Sequence, residues 1–418
     1  MAMSFKLTQR QHRLRTRSRQ FAGDVLSGVR ETTRQLASVE ERFRATRPAY
    51  EQLVAAGFLR GCIPAEAGGD SQSLIDTAVV TEELFCGDSS VALTLIGAVL
   101  GVQPIVAGGT DEQQRRLLAP FLAKSGAPLA GFCASEPGGS ANAAAPAPAA
   151  GVRTVARRQG EEWLISGTKK WISSATGWDR TGAEVLCVLC RTDPAAPPMA
   201  GVSILAVPKT GERIDGLTLD RVIESPGYRA HLLPEFTFHD VATASDNVIG
   251  PVGGGLALGS AAFASAAALI GMIGVALMRA AFDHTLRFAR REDRGGLVPV
   301  IDHQAVGYAL ADAKTTIEAA RALAWRACAA VDSGHPATAE LAHHAKIFGS
   351  EAAVRVITDL MRVVGVDSYE LTDPLNGLLQ DALALPVFAS GNLGMRRRAL
   401  HAMFQQPDYD PLTAYEAT

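Results

Sequence analysis

Three short stretches hold the residue types and spacings best suited to chemistry. In "FCASEPGGSAN" (132–142), Gly138 and Gly139 let the backbone approach a flat ring or a phosphate closely, and Ser135 and Ser140 supply hydroxyl donors. Taken alone, such a glycine pair marks no more than a turn. In "ISGTKKWISSA" (165–175), Trp171 offers an aromatic face and Ser173 a hydroxyl two residues on, although a tryptophan in a strand is by default a core side chain. In "PVFASGNLGMRRR" (386–398), three arginines follow Ala389, Ser390, Gly391 and Asn392. Arg397 and Arg398 fit a solvated cluster better than Arg396 does. Cys187 and Cys190 form a C-x-x-C in "EVLCVLCR", but that run reads as a buried strand whose odd offset sends the two thiols to opposite faces. No metal or redox role is expected of them.

Three runs of chain must position these residues. Residues 1–126 are mixed polar and apolar in helical fashion, with breaks at "TRP" and "IPAEAGGD". Residues 127–249 change to short β-type runs, among them "TVARRQ", "EWLISG", "KKWISS", "EVLCVLCR", "GVSILAVP" and "EFTFHDV". Residues 250–418 turn helical again, with Val306, Leu310, Ile317 and Ala324 marking one apolar stripe. The expected fold is α+β: a helical domain, a β domain, then a helical bundle. The low-complexity "ANAAAPAPAA" (141–150) reads as a flexible insert in a β-domain loop.

Composition excludes several classes of partner. A net charge of -3 over 418 residues gives no field for nucleic acid or an acidic membrane. Six scattered cysteines do not resemble a disulfide framework and fit a reducing cytoplasm. The first 23 residues are arginine-rich and free of acid, as in a mitochondrial transit peptide, yet they run on helically into "RETTRQLASVEERF", which favours an exposed first helix. Residues 254–278 hold 25 positions without a charge. Their bulk is Ala, Gly and Ser, whose transfer to lipid is poor, so a helix inside a bundle is expected rather than a membrane span.

"FCASEPGGSAN", "ISGTKKWISSA" and "DHQAVGYALAD" (302–312) resemble, in order and spacing, the acyl-CoA dehydrogenase superfamily. "RFRATRPAYEQLVAAGF", "ATGWDRTGAEVLCVLCR" and "PVFASGNLGMRRRALHAM" extend the resemblance over nearly the whole chain, toward its nitroalkane oxidase branch. The resemblance implies an N-terminal helical domain, a middle β-barrel-like domain, a C-terminal four-helix bundle, and FAD between the last two. It implies Ser135 at the flavin ring, Ser140 nearer the pyrophosphate, Trp171 against the isoalloxazine and Ser173 near N5. Arg294 and Gln304 match positions that hold the FAD of a neighbouring subunit, so a homotetramer is implied. Gly365, Gly391 and Asn392 match further FAD contacts, although "VGVDSY" departs from the fuller glycine motif of acyl-CoA dehydrogenases.

The resemblance also exposes a gap. Reactions of this superfamily begin by taking a proton from carbon, and a positioned carboxylate does this. Its commoner position matches Ala389, and a rarer one, on the long internal helix, matches Ser265; neither residue accepts a proton at neutral pH. Ala266 stands where the nitroalkane oxidase branch has a serine. Arg396 matches the arginine that partners the missing aspartate, and if buried it would be left without its counter-charge. Three outcomes stay open: oxidase chemistry without the base, a monooxygenase using O2 and a flavin reductase, or a catalytically inactive flavoprotein. A pocket bounded by Ala389, Ser265, Ala266, Ser173 and Arg396 predicts a small substrate carrying negative charge, such as a nitronate or a carboxylate.

Overall fold

The computed structural model describes residues 6–145 and 151–415, so half of the low-complexity insert lies outside the described residues. Its longer N-terminal helices are α1 (Gln9–Phe21), α2 (Val39–Ala55), α3 (Leu74–Gly87), α4 (Ser89–Gly108) and α5 (Asp111–Leu122). Three of them start at capping boxes, Thr8 with Gln11, Ser38 with Glu41 and Thr110 with Gln113, each pair satisfying two backbone amides that a helix start leaves free. α1 is tied into the fold by its arginines: Arg10 reaches Asp76 at 3.1 Å and Arg19 reaches Glu83 at 2.9 Å, both on α3.

The sheet comprises β1 (Ala130–Cys133), β2 (Val155–Gln159), β3 (Glu162–Lys170), β4 (Val185–Arg191), β5 (Val202–Pro208), β6 (Leu217–Val222), β7 (Pro234–Ala244) and β8 (Val248–Ile249). Its order is β6-β7-β3-β2-β4-β5-β8, with β1 lying parallel to β4. "EWLISG" and the start of "KKWISS" form one strand, β3, with an irregularity against β7 between Ile165 and Gly167. At Gly167 any Cβ would come within 2.7 Å of the Thr154 backbone, so only glycine lets β2 and β3 approach there. β4 is buried along its whole length, which is why it reads as a continuous apolar run.

The C-terminal bundle packs α6 (Gly255–Arg291), α7 (Gln304–Ser333), α8 (Thr338–Val364) and α9 (Pro374–Ala384). Leu310, Ile317 and Ala324 of the α7 stripe are buried, and Val306 is half-buried. The small residues of α6 serve close helix approach: a Cβ at Gly274 would stand 2.3 Å from the Gly349 carbonyl oxygen of α8. Both α4 and α6 are long and apolar enough to cross a membrane, yet 72% of the most apolar window of each is buried within the fold.

α3 lies along α6, and a buried charge network joins them. Arg279 of α6 bonds Glu82 at 2.7 Å and Glu83 at 2.6 and 2.9 Å, while Arg321 of α7 bonds Glu82 at 2.9 Å. The N-terminal helices are thereby fixed on the bundle.

Candidate active site

β3 ends at Lys170, and Trp171 follows with φ of 65°, a left-handed backbone that leaves the sheet. The expectation of a strand tryptophan is therefore corrected: the indole is 51% exposed instead of packed in the core. Two residues on, half-buried Ser173 packs against α4 where Gly97 leaves room, since a Cβ at Gly97 would be 2.8 Å from the Ser173 Cβ.

The "SEPGGS" loop stands beside this segment, because the Ser135 carbonyl accepts the Lys170 amide at 3.0 Å. Glu136 is structural: it accepts Lys169 Nζ at 2.9 Å and the amides of Arg153 and Thr154 at 2.8 and 2.9 Å. Burial alone would raise its pKa, but Lys169 and these amides hold it below the usual carboxylate range. Open space surrounds Gly138 and Gly139, where an added Cβ would meet nothing within 4 Å. Ser140 Oγ faces Met395 Sδ at 3.9 Å, and Arg398 reaches Asn142 Oδ1 at 3.4 Å. The β-domain loop and the "GNLGMRRR" segment thus border one cleft.

On the bundle side, Ala389 (φ 45°) and Ser390 (φ 68°) are consecutive left-handed residues without glycine's freedom, a strained arrangement. The strained turn aims two carbonyls at one cation. Arg396, 4% exposed within a π-helical turn Asn392–Arg397, donates from Nη2 to Ala389 O at 3.0 Å and from Nε to Ser390 O at 3.3 Å. Nη2 also approaches the Phe263 carbonyl of α6 at 3.5 Å, and Nη1 donates to His343 Nδ1 of α8 at 3.2 Å. Among the described residues no carboxylate pairs with this guanidinium. Burial pushes its pKa down to about 10, so it stays charged at neutral pH. Ser265 and Ala266, both half-buried, follow Phe263 on α6, whose ring lies 5.2 Å from that of Phe132 on β1.

His343 and Lys346 of α8 lie beneath Arg396, and sequence reasoning missed both. Their spacing with Ser350, three and four residues on one helical face, was the available signal. Burial, then Arg396, pushes His343 down to about 4 and Lys346 to about 7. His343 is no candidate for a base, because its Nδ1 lone pair already accepts from Arg396 and its other nitrogen carries the proton. Asn392 is turned toward α8: its amide accepts from Lys346 Nζ at 2.8 Å and donates to Ser350 Oγ and Glu351 at 2.9 and 3.0 Å. That leaves its backbone and that of Gly391 for any cofactor contact.

Arg294, Gln304 and Gly365 are not brought to this cleft. Arg294 bonds Asp367 at 2.5 Å and the Val364 carbonyl at 3.1 Å, next to Gly365, while Gln304 bonds Tyr308. They lie beyond the far end of α6, whose run from Phe263 to Arg291 spans about 42 Å at 1.5 Å per residue. The sequence-derived site residues therefore form two groups within one chain.

The first group fits a flavin: an exposed indole, a glycine loop with open space around it, and the hydroxyls of Ser135, Ser140 and Ser173 beside them. Family models match in the same order, the acyl-CoA dehydrogenase N-terminal domain at 8–125, middle domain at 131–241 and C-terminal domain at 253–403. The chain belongs to the acyl-CoA dehydrogenase superfamily and is an FAD flavoenzyme, a flavin-dependent oxidoreductase. Within the superfamily it is similar to nitroalkane oxidases. That of Podospora anserina is 39% identical, over 98% of each chain, and its solved structure superimposes with a TM-score of 0.93 over 99% of each at 37% identity. That of Fusarium oxysporum is 32% identical over 99% of this chain and 97% of its own. A nitroalkane oxidase structure from a study of the roles of an arginine and an aspartate in its reaction has a TM-score of 0.94 at 31% identity, covering 100% of both chains.

Proposed function

We propose that this flavin-dependent oxidoreductase takes its substrate as a preformed anion, a nitronate or a related small acid anion, and does not itself remove the carbon-bound proton. The buried Arg396 without a carboxylate carries this reading. In the nitroalkane oxidase whose arginine and aspartate were studied, those two residues stand seven positions apart. Arg396 stands seven positions after Ala389. The cation is retained where the acid is an alanine, and the carbonyls of Ala389 and Ser390 hold the guanidinium without cancelling its charge. A substrate anion would supply the missing counter-charge.

Bound FAD would supply the two-electron acceptor. The chain's own part would be to hold the anion at Arg396, to set Trp171 against the flavin, and to present Ser173 as a donor near its reactive edge. The position of Arg294, Gln304 and Gly365 at the far end of α6 supports a homotetramer in which a neighbouring copy completes the FAD site. O2 would serve as the final electron acceptor.

The test is anaerobic mixing of holoprotein with neutral nitroethane and, separately, with its preformed nitronate, following flavin absorbance. Bleaching by the nitronate alone is expected. Bleaching at comparable rates by both compounds would mean that another base operates. If neither bleaches the flavin, the oxidase reading fails, and a monooxygenase fed by a flavin reductase, which needs no carbon-acid base, takes its place.

A further inference from the structure

The strained turn at Ala389 and Ser390 is tied at its two ends by one buried amine. Lys346 of α8, fully buried, donates from Nζ to the Leu385 carbonyl at 3.3 Å, where α9 ends, and to Asn392 Oδ1 at 2.8 Å, where the π-helical turn begins. The Asn392 amide closes the same loop on the Pro386 carbonyl at 2.8 Å. The carbonyls that Arg396 grips, those of Ala389 and Ser390, therefore stand in the middle of a span whose ends Lys346 draws together. Arg396 also bonds His343, three residues before Lys346 on the same helix.

Two acceptors match the two N–H bonds of a neutral amine, so the loop stays tied whether or not the lysine carries its third proton. Its charge can change while the fold does not. The charges acting on Lys346 are Arg396 across the loop and Glu351 further along α8, and Glu351 is itself taken up by Arg397 at 2.6 and 2.9 Å. The neighbouring helices bring small or uncharged groups: Gly271 of α6 lies against the Ala345 carbonyl and Ala324 of α7, and the end of α9 presents the Leu385 carbonyl. Burial first, then Arg396, brings the amine down to about 7.

We propose that Lys346 is the positioning residue of the anion site: without touching the substrate, it holds the Ala389–Ser390 turn against Arg396 and adds its own charge to the anchor when an anion arrives. This rests on Arg396 as the anion anchor and says what governs its strength. An anion beside Arg396 offsets that cation's repulsion of Lys346, so binding draws a proton onto the amine. By linkage, affinity is greatest below about pH 7, where the amine is already charged, and falls as pH rises through that value.

The test is binding of butanoate to the oxidised holoprotein, read by perturbation of the flavin spectrum at about pH 6 and about pH 8.5, where the ligand is fully ionised. His343 at about 4 stays neutral and Arg396 at about 10 stays charged, so Lys346 is the group beside the anchor that changes state. Kd should rise about tenfold from the lower pH to the higher, the ratio produced when a bound anion raises the amine's pKa by about one. Lys346→Met should bind weakly at both pH values. Lys346→Arg, which keeps a donor and the charge, should bind tightly at both, and it decides the matter if the methionine variant does not fold. A lysine that only held the fold together would move Tm and give Kd no pH dependence. Equal Kd at the two pH values in the wild type, or a dependence that survives in either variant, overturns the inference and leaves the anion anchor standing. No binding of butanoate at either pH overturns the Arg396 anchor and this inference with it.

Discussion

Arg396 donates at 3.0 Å to the carbonyl oxygen of Ala389, the residue at which the proposed function puts the missing acid. The backbone at 389 thus retains a contact with the cation, while the side chain supplies no charge. Charge and proton acceptor have been separated, and the two can be altered independently.

Ala389→Asp should reunite them. Aspartate tolerates the left-handed conformation at this position better than alanine does, so the change should fold. Anaerobic flavin reduction by neutral nitroethane should rise by about 10²- to 10⁴-fold, the usual worth of a positioned base. An unchanged rate would locate the defect elsewhere in the cleft.

Arg396→Met should affect binding more than folding. The change relieves a buried charge that no carboxylate pairs, but it takes the donor from the Ala389 and Ser390 carbonyls and from His343 Nδ1, and a buried acceptor left unsatisfied costs about 1 to 3 kcal/mol. The two effects oppose each other, so we expect a modest fall in Tm beside a loss of about tenfold or more in affinity for a small carboxylate or a nitronate, since a charge-assisted hydrogen bond is lost. A steep fall in Tm would instead make Arg396 a structural cation.

Glu83→Gln should weaken the hold of the N-terminal helices on the bundle. Glu83 is buried and bonds Arg279 at 2.6 and 2.9 Å and Arg19 at 2.9 and 3.1 Å. Removing one partner of a buried pair costs about 3 kcal/mol, mostly through Arg279, because Arg19 is 64% exposed and screened. Burial would raise the Glu83 pKa, but both arginines bring it below its ordinary value. A depressed carboxylate stabilises fully above its unfolded pKa of about 4.3 and loses that contribution as pH falls through the folded value. The Tm gap between wild type and Glu83→Gln should therefore be widest near neutrality and close below about pH 4.

Gly97→Ala should push Ser173 away from its place beside α4, since the new methyl would stand 2.8 Å from the Ser173 Cβ. A shifted flavin absorbance maximum and slower flavin reduction are expected with the fold intact by circular dichroism. A spectrum identical to wild type would show that Ser173 does not depend on this contact.

Features legible in the sequence were those written in local pattern. "VLCVLCR" (185–191) announces a strand buried on both faces because every position in it had to be apolar, apart from the terminal arginine. The Ala- and Gly-rich run of α6 reads as a packed helix because small side chains let helices touch, as Gly274 and Gly349 do. Trp171 misled for the opposite reason: its left-handed φ carries no glycine to mark it, so the β-type run "KKWISS" was carried past the strand end at Lys170. His343 and Lys346 stayed hidden because their partners, Arg396 and Asn392, stand 53 and 46 positions distant in the chain. Such pairings are set by tertiary packing alone.

The sealing of the cysteines bears on how the protein would age in use. All six thiols are free, five are buried and Cys86 is half-buried; burial keeps every one protonated, with Cys133 and Cys190 held near 12. If O2 takes the electrons, as proposed, peroxide would be released at the cleft, and peroxide attacks thiolates first. Here it would find none. The sulfur left standing by the cleft is that of Met395, 3.9 Å from the Ser140 hydroxyl, so oxidative wear would begin as a sulfoxide at the mouth of the flavin site and leave the protein's interior untouched.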